Sequence, residues 1–105
     1  MPIYIAKVMT AEPITVGALE LCPAKLEARM GGHEIRLSGA EYAVLLCLAR
    51  NGEQVTTESE IRLFLAPVVV SVRELVSDLR RKMREVNPQV EIVNIYGVGY
   101  RLQVP

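Results

Sequence analysis

Three helix-start signals divide the middle of this chain. Each is a Ser or Thr followed three residues later by Glu, and the three begin at Ser38, Thr57 and Ser71. In such a signal the hydroxyl accepts a hydrogen bond from the third helical N–H, while the carboxylate can reach back to the cap. Apolar residues recur at helical spacing after each signal. The sequence therefore predicts three helices, the last of which runs to about Val86.

Strand-like segments flank the three helices. Within residues 1–37, four short runs show partial alternation and are separated by Pro13, Pro23 and the Gly31-Gly32 pair. These runs are IYIAKV, ITVGALEL, KLEARM and HEIRL. They predict an N-terminal antiparallel sheet, with Gly31-Gly32 as the two-residue turn of a hairpin.

After the third helix, the runs VEIVNI and YRLQV predict two more strands. The segment IYGVGYRL contains the turn between them and overlaps the end of the first strand and the start of the second. Its glycines, Gly97 and Gly99, favour a sharp turn because glycine reaches positive φ without steric cost. Three helices followed by a hairpin form a winged helix when the second and third pack as a helix-turn-helix. We expect an α+β winged helix-turn-helix fold with an N-terminal antiparallel sheet and a C-terminal β-hairpin wing.

The length of 105 residues, half of them hydrophobic, fits one domain with a modest core. We expect a single domain over residues 1–105, with the sheet in 1–37, the three-helix core in 38–86 and the wing in 90–104. No run of 18 apolar residues and no signal-peptide pattern occurs. These features predict a cytoplasmic protein that makes no membrane contact.

The sequence offers no pattern typical of catalysis. Cys22 and Cys47 lack a CxxC partner, and the single His33 does not complete a recognised metal-ligand spacing with them. No nucleophile with a matching base and no phosphate-binding loop is evident. We therefore predict that the protein is not an enzyme, uses no metal or other cofactor, and has no small-molecule ligand.

The net charge is zero, but the charge is unevenly distributed. Residues 1–70 contain six Lys/Arg and eight Asp/Glu, whereas residues 71–105 contain six and four. The excess of positive charge therefore lies in the last third of the chain, which holds the third helix and the wing. This distribution favours that third as the surface for an anionic partner.

Taken together, the segments GGHEIRLSGAEYAVLLCLARNGEQVTTESEI, VRELVSDLRRKM and NIYGVGYRL resemble the C-terminal effector domain of the OmpR/PhoB family of response regulators. The resemblance covers roughly residues 14–103. The matching positions are Leu37, Ser38, Glu41, Leu79, Arg80, Lys82, Gly97, Gly99, Tyr100 and Arg101. It implies transcription control through sequence-specific binding of double-stranded DNA, with the third helix in the major groove and the wing on the backbone.

The receiver domain that usually precedes such an effector domain has no counterpart here, because no acidic phosphoacceptor region precedes the sheet. Two alternatives remain open. The chain is either an excised effector domain or a stand-alone regulator, and its start, MPIYIAKV, favours the second.

On a helical wheel, the third helix has a basic flank of Arg73, Arg80 and Arg84 and an acidic flank that includes Asp78. DNA recognition needs donors for base edges and cations for phosphates. The candidate DNA contacts are Ser71, Arg73, Ser77, Asp78, Arg80, Arg81, Arg84, Tyr96 and Arg101. Arg81 is also expected to pair with Asp78 and Glu85, at i−3 and i+4.

The sequence departs from the family pattern at three expected contact positions. Val70-Ser71 occupies the place of an Arg-Thr pair, Asp78 that of a base-reading Arg, and Tyr96 that of an Arg that often enters the minor groove. The loop implicated in polymerase contact is reduced to APVVV. These departures favour a repressor or an architectural protein over an activator.

A second hypothesis is a winged-helix module for protein–protein interaction or homodimerisation. Val68, Val69 and Val70 together with Leu75 would form an apolar patch if they were exposed as a group. Leu75 also fits an ordinary core position, since it lies about 40° from Leu79 on the wheel.

Overall fold

The computed structural model describes residues 3–68, 71–86 and 90–105. Within these residues it contains four α-helices and seven strands, with a short 3-10 turn at Pro23–Lys25. The helices are α1 (Ile3–Met9), α2 (Gly39–Arg50), α3 (Glu58–Leu65) and α4 (Val72–Val86). The strands are β1 (Ile14–Val16), β2 (Leu19–Cys22), β3 (Glu27–Met30), β4 (His33–Ile35), β5 (Thr56–Thr57), β6 (Glu91–Ile95) and β7 (Gly99–Gln103).

The N-terminal sheet is an antiparallel meander in the order β1-β2-β3-β4. The run ITVGALEL supplies two of its strands, because the chain turns at Gly17 and Ala18 and pairs Val16 with Leu19. Gly31 and Gly32, with φ of 57° and 85°, form the two-residue turn that pairs Met30 with His33. The predicted antiparallel sheet and its glycine turn are confirmed.

The prediction that IYIAKV is a strand is wrong, because this segment forms helix α1. Ile5 and Val8 are both buried in the common core, and residues three apart share one face of a helix but opposite faces of a strand. The β-branched residues of this short run suggested a strand. Burial against the rest of the molecule selects the helix instead.

Helix α2 lies at the centre of the fold and contacts α1, α3, α4, β1 and β7. Every side chain from residue 41 to residue 49 is buried. The Tyr42 hydroxyl donates a 2.8 Å hydrogen bond to the Glu27 carbonyl oxygen, and burial raises the pKa of this phenol. Buried residues of both sheets and all four helices form one hydrophobic cluster around α2.

All three predicted helix caps are present. The Ser38 hydroxyl accepts from Glu41 N–H at 3.2 Å, and the Glu41 carboxylate accepts from Ser38 N–H at 2.8 Å, which completes a capping box. The Thr57 and Ser71 hydroxyls likewise accept from the N–H groups three residues further on, at 3.1 and 3.2 Å. These local hydrogen bonds begin α2, α3 and α4 at the predicted positions.

The Glu41 carboxylate also joins α2 to α4. Its Oε1 atom lies 2.6 Å from Lys82 Nζ, and Glu41 is only 4% exposed. Burial alone would raise the pKa of Glu41, but the hydrogen bonds from Lys82 and Ser38, with the positive charge of Lys82, hold its pKa below the usual 4.5. Since α4 supplies Lys82, the ion pair fixes one side of α4 against the N-terminus of α2.

We expect Lys82→Met to lower the free energy of unfolding by about 1–3 kcal/mol, because it leaves a buried carboxylate short of one donor. Urea denaturation at pH 7 measures the loss. The control is Arg62→Met on α3, which removes an exposed ion pair of 3.2 Å with Glu58 and is expected to cost about 0.5 kcal/mol or less.

The pH dependence of stability provides a second test with Lys82→Met. The pKa of Glu41 is lowered by folding, so its stabilising contribution is complete above the unfolded value of 4.5 and is lost as the pH falls through the folded pKa. The stability difference between the wild type and Lys82→Met should therefore shrink below about pH 4.5. A difference that stays constant down to pH 3 would contradict this assignment.

The second sheet has the order β5-β7-β6, and its middle and edge strands β7 and β6 form the predicted hairpin. The sequence pattern does not predict strand β5. This strand has two residues and pairs Thr56 with Tyr100 and Thr57 with Gly99. The Thr56 hydroxyl, fully buried, accepts a 2.6 Å hydrogen bond from the Asn51 amide. Through β5, the hairpin is anchored to the start of α3.

Within the described part of the chain, no helix combines the length and the apolar character needed to cross a membrane.

Candidate nucleic-acid interface

Helix α4 has one buried and one outward-facing side. Val72, Val76, Leu79 and Met83 are buried and form the inward-facing apolar stripe of the helix. The opposite side is exposed, and one of its edges is basic and the other acidic. The basic flank faces the hairpin β6–β7, which we call the wing, and the acidic flank of Glu74, Asp78 and Glu85 lies on the side away from it.

A groove of about 620 Å³ separates the start of α4 from the wing. Arg73 from α4, Glu58 from α3 and the wing segment 94–100 line it. The wing turn, residues 96–98, projects beyond the sheet with Tyr96 fully exposed and Val98 half exposed. The groove therefore lies between a basic helix flank and a turn that presents a tyrosine.

Arg80 bonds to the wing. Its Nε donates to the Ile92 carbonyl oxygen at 3.2 Å, and one terminal nitrogen donates to Asn94 Oδ1 at 2.7 Å. Both acceptors belong to β6. Two donors of this candidate DNA contact are thus used within the protein, and the side chain is only half exposed.

Arg81 forms both of the ion pairs expected from helical spacing, at 3.7 Å from Asp78 and 3.4 Å from Glu85. All three side chains are more than half exposed, so each contact is worth only a few tenths of a kcal/mol. A phosphate or a base edge could compete for Arg81 at small cost. The same pairs reduce the positive potential at the centre of the exposed side.

Arg73 and Arg84 are exposed, and neither forms an ion pair within residues 3–68, 71–86 and 90–105. Ser77 is exposed between them, and a shallow hollow contains Ser77 with Arg84. The Ser71 hydroxyl caps α4. The structure thus brings Arg73, Ser77 and Arg84 together on the outward side of α4.

Arg101 lies on the wing strand β7 and donates to Gln103 Oε1 at 3.2 Å. Its neighbours Tyr100 and Leu102 are buried, so Arg101 projects from the outer face of the hairpin. Tyr100 is buried and anchors the wing in the core.

Leu75, one of the four residues of the conditional apolar patch, is not fully exposed. This side chain is half-buried and packs against the core, because it borders the buried stripe of α4. Val68 is 37% exposed, and Val69 and Val70 lie outside the described residues. The most exposed aliphatic side chain on α3 is Leu63, at 71%. The sequence held the signal for it, since Leu63 lies opposite the Ile61 and Leu65 stripe on a helical wheel.

The described residues contain no group of three or more His, Cys, Asp or Glu side chains that could hold a metal ion. His33 is exposed beside the β3–β4 turn. Cys47 is buried, and burial raises the pKa of its thiol to about 11. Such a thiol stays protonated at neutral pH.

The two wing glycines serve different purposes. Gly97 has φ of 73°, as expected for a turn glycine. Gly99 does not have positive φ, so the prediction of a turn role for it is wrong. A Cβ atom at Gly99 would collide with the Thr56 carbonyl oxygen and lie 2.8 Å from Thr57 Cα. Gly99 is required because β5 approaches β7 closely at this point.

Gly99→Ala should lower the free energy of unfolding by about 3 kcal/mol, the upper end of the usual over-packing cost, because β5 must move. Gly97→Ala should cost only about 1 kcal/mol, since its Cβ meets no atom within 4 Å and only the backbone strain remains. Denaturant titration of both variants makes the comparison. Equal losses would contradict the close-approach explanation.

The sequence profile of the family described as "Transcriptional regulatory protein, C terminal" matches residues 32–102. Comparison with curated protein sequences gives no significant match.

Three solved structures are similar over most of their length. The DNA-binding domain of CpxR from E. coli aligns with a TM-score of 0.73 at 25% identity, covering 88% of this chain and 96% of that one. The DNA-binding domain of the response regulator AdeR, in complex with an intercistronic region, has a TM-score of 0.75 at 24% identity, covering 87% and 98%. The DNA-binding domain of RstA from Klebsiella pneumoniae, in complex with the RstA box, has a TM-score of 0.72 at 23% identity, covering 87% and 96%.

These likenesses confirm the winged-helix fold, with α3 and α4 as its helix-turn-helix. The family match extends over more than half of the chain and includes α2, α3, α4 and the wing. The chain therefore belongs to the family of C-terminal domains of transcriptional regulatory proteins, and it is a DNA-binding transcription-regulator domain of the OmpR/PhoB type.

Proposed function

We propose that the domain binds a specific site in double-stranded DNA, with the outward side of α4 in the major groove and the wing turn on the adjacent backbone. The observation that carries this proposal is the arrangement of charge on α4. Arg73 and Arg84 are exposed on the border that faces the wing, whereas Glu74, Asp78 and Glu85 lie on the opposite border. A polyanion is attracted to the first border and repelled by the second.

The contacts divide into phosphate and base contacts. Arg73 and Arg84, both exposed, are suited to phosphates, and the half-exposed Arg101 is a further candidate on the wing. Ser77 and Arg81 lie at the centre of the outward side, where base edges are read. Tyr96, fully exposed at the tip of the wing, offers a ring and a hydroxyl to a sugar or phosphate. Ser71, which caps the N-terminus of α4, is a further candidate because a helix N-terminus favours a phosphate.

Asp78 restricts the sequences that fit. In the major groove, a carboxylate finds a hydrogen-bond donor on the N4 amino group of cytosine or the N6 amino group of adenine. The neighbouring N7 acceptor of adenine disfavours the second. If α4 enters the groove as proposed, a C·G pair opposite Asp78 is the favoured partner.

We further propose that the domain acts as a repressor or an architectural protein. Only residues 66–71 separate α3 from α4, and this is the loop in which the family resemblance places polymerase contacts. So short a connection leaves little surface for polymerase. Transcription of a template that carries the selected site is expected to fall or stay constant when the protein is added, and a rise would contradict repression.

Salt-dependent binding tests the DNA contacts. The full chain is titrated against a duplex selected from a random pool, at several salt concentrations. Arg84→Ala should weaken binding and reduce the log–log salt slope by about 0.9, the value for one phosphate contact. Lys25→Ala, which removes an exposed cation near the N-terminal sheet, should leave affinity and slope unchanged. Absence of binding at low salt to selected and random duplexes would refute the proposed function.

A second candidate function is protein binding through the end of α3. Leu63 is 71% exposed and Val68 is 37% exposed, at a place where the neighbouring Ala66 and Pro67 are exposed as well. Several exposed apolar residues so close in sequence are typical of a protein contact.

Leu63→Gln should leave the DNA affinity unchanged and reduce any self-association seen by sedimentation velocity. The change makes the exposed surface more polar without altering the net charge or touching the buried Ile61 stripe. A wild-type chain that stays monomeric at high concentration and captures only DNA would exclude the second candidate.

A further inference from the structure

We propose that Arg80 is a positioning residue for DNA recognition, which holds the wing at a fixed angle to α4. This inference rests on the proposed function, in which α4 and the wing contact the same duplex. The sequence presents Arg80 as one more cation for DNA. The structure instead uses its guanidinium to join the two elements that would touch DNA.

Arg80 forms two hydrogen bonds to strand β6, one to Ile92 and one to Asn94, and we call this pair of bonds the bracket. Nε donates to the Ile92 carbonyl oxygen at 3.2 Å, and a terminal nitrogen donates to Asn94 Oδ1 at 2.7 Å. Strand β6 is the edge of its sheet, so the Ile92 carbonyl oxygen is available to accept from outside the sheet. Two acceptors two residues apart fix both the distance and the direction of β6 relative to α4.

The bracket lies where the wing leaves the core. Ile92 is buried, Asn94 is exposed, and the turn that presents Tyr96 begins two residues later. Beyond Ile95, the described residues of the turn project into solvent until Tyr100 re-enters the core. Asn94 is therefore the outermost point at which β6 bonds to α4, and its position determines where Tyr96 stands across the groove from Arg73.

Arginine is the residue type that this role requires. The guanidinium is planar, and its donors have a fixed separation that matches two acceptors at once. A lysine would preserve the charge but supply a single ammonium point without that geometry. Charge and positioning can therefore be separated experimentally at this residue.

The experiment compares Arg80→Lys and Asn94→Ala with Arg84→Ala in the full chain, at a temperature where circular dichroism shows every variant folded. Affinity for the selected duplex is measured against salt concentration. Arg80→Lys retains the charge and Asn94→Ala changes none, so both should lose about tenfold in affinity with an unchanged salt slope. Arg84→Ala should instead lower the slope by about 0.9.

Amide hydrogen exchange of the DNA-free protein provides an independent reading. Residues 96–98 should exchange faster in Arg80→Lys and Asn94→Ala than in the wild type, and at the wild-type rate in Arg84→Ala. The double variant Arg80→Lys with Asn94→Ala should lose little more affinity than either single variant, because both changes open one bracket.

Wild-type affinity and exchange in Arg80→Lys, or wild-type affinity in Asn94→Ala, would overturn the inference while leaving the proposed function intact. A smaller salt slope in Arg80→Ala combined with full rescue by Arg80→Lys would make Arg80 a phosphate contact instead. Failure of the wild type to bind any duplex at low salt would remove the proposed function and the positioning role together.

Discussion

The buried carboxylate of Glu41 is the interaction on which the placement of α4 depends. One oxygen accepts hydrogen bonds from Ser38 N–H and from Lys82 Nζ, so the start of the central helix and the flank of α4 are fixed by the same atom. The hydrophobic stripe of α4 specifies which side faces inward, but apolar packing is tolerant of small rotations and shifts along the axis. A short, largely buried ion pair does not tolerate such shifts, because a displaced lysine would leave the carboxylate poorly solvated. On the other flank, Arg80 bonds to β6. Cations on both flanks of α4 therefore serve the fold and leave the outward side for other contacts.

Local chemistry explains why much of the fold could be predicted from the sequence. The caps at Ser38, Thr57 and Ser71 involve groups three residues apart, and the Gly31-Gly32 turn needs only two residues with positive φ. Such features depend on the sequence nearby. Helix α1 could not be predicted in this way, because its β-branched residues favour a strand and only contact with the core decides for a helix. Strand β5 has two residues, too few for any periodicity. The Gly-x-Gly spacing favours a turn role for Gly99, whereas its actual constraint is the nearby backbone of Thr56.

For the candidate site too, the features that depend on one helix could be predicted, and those that depend on tertiary contacts could not. The helical period places Arg73, Ser77 and Arg84 on the outward side and pairs Arg81 with Asp78 and Glu85, since all of these depend on one helix. The environment of Arg80 does not depend on α4 alone. Its acceptors lie 12 and 14 residues further along the chain, and only the docking of the wing on α4 brings them within reach. The exposure of Leu63 and the half-burial of Leu75 likewise follow from how α3 and α4 pack in the core, although the wheel already indicated the first.

The distribution of charge has a consequence for the proposed mode of recognition. With Arg80 and Lys82 engaged in the fold and Arg81 shared with two carboxylates, Arg73 and Arg84 are the main sources of attraction for phosphates among the described residues of α4. Affinity that depends on few phosphates is low on any sequence, because non-specific binding is almost entirely electrostatic. In the proposed mode, the acidic border would penalise every duplex that offers it no donor, and such a penalty would affect incorrect sites more than the correct one. Selectivity would then come from weak binding to all other DNA. For binding of this kind, the geometry between α4 and the wing would matter more than the total charge.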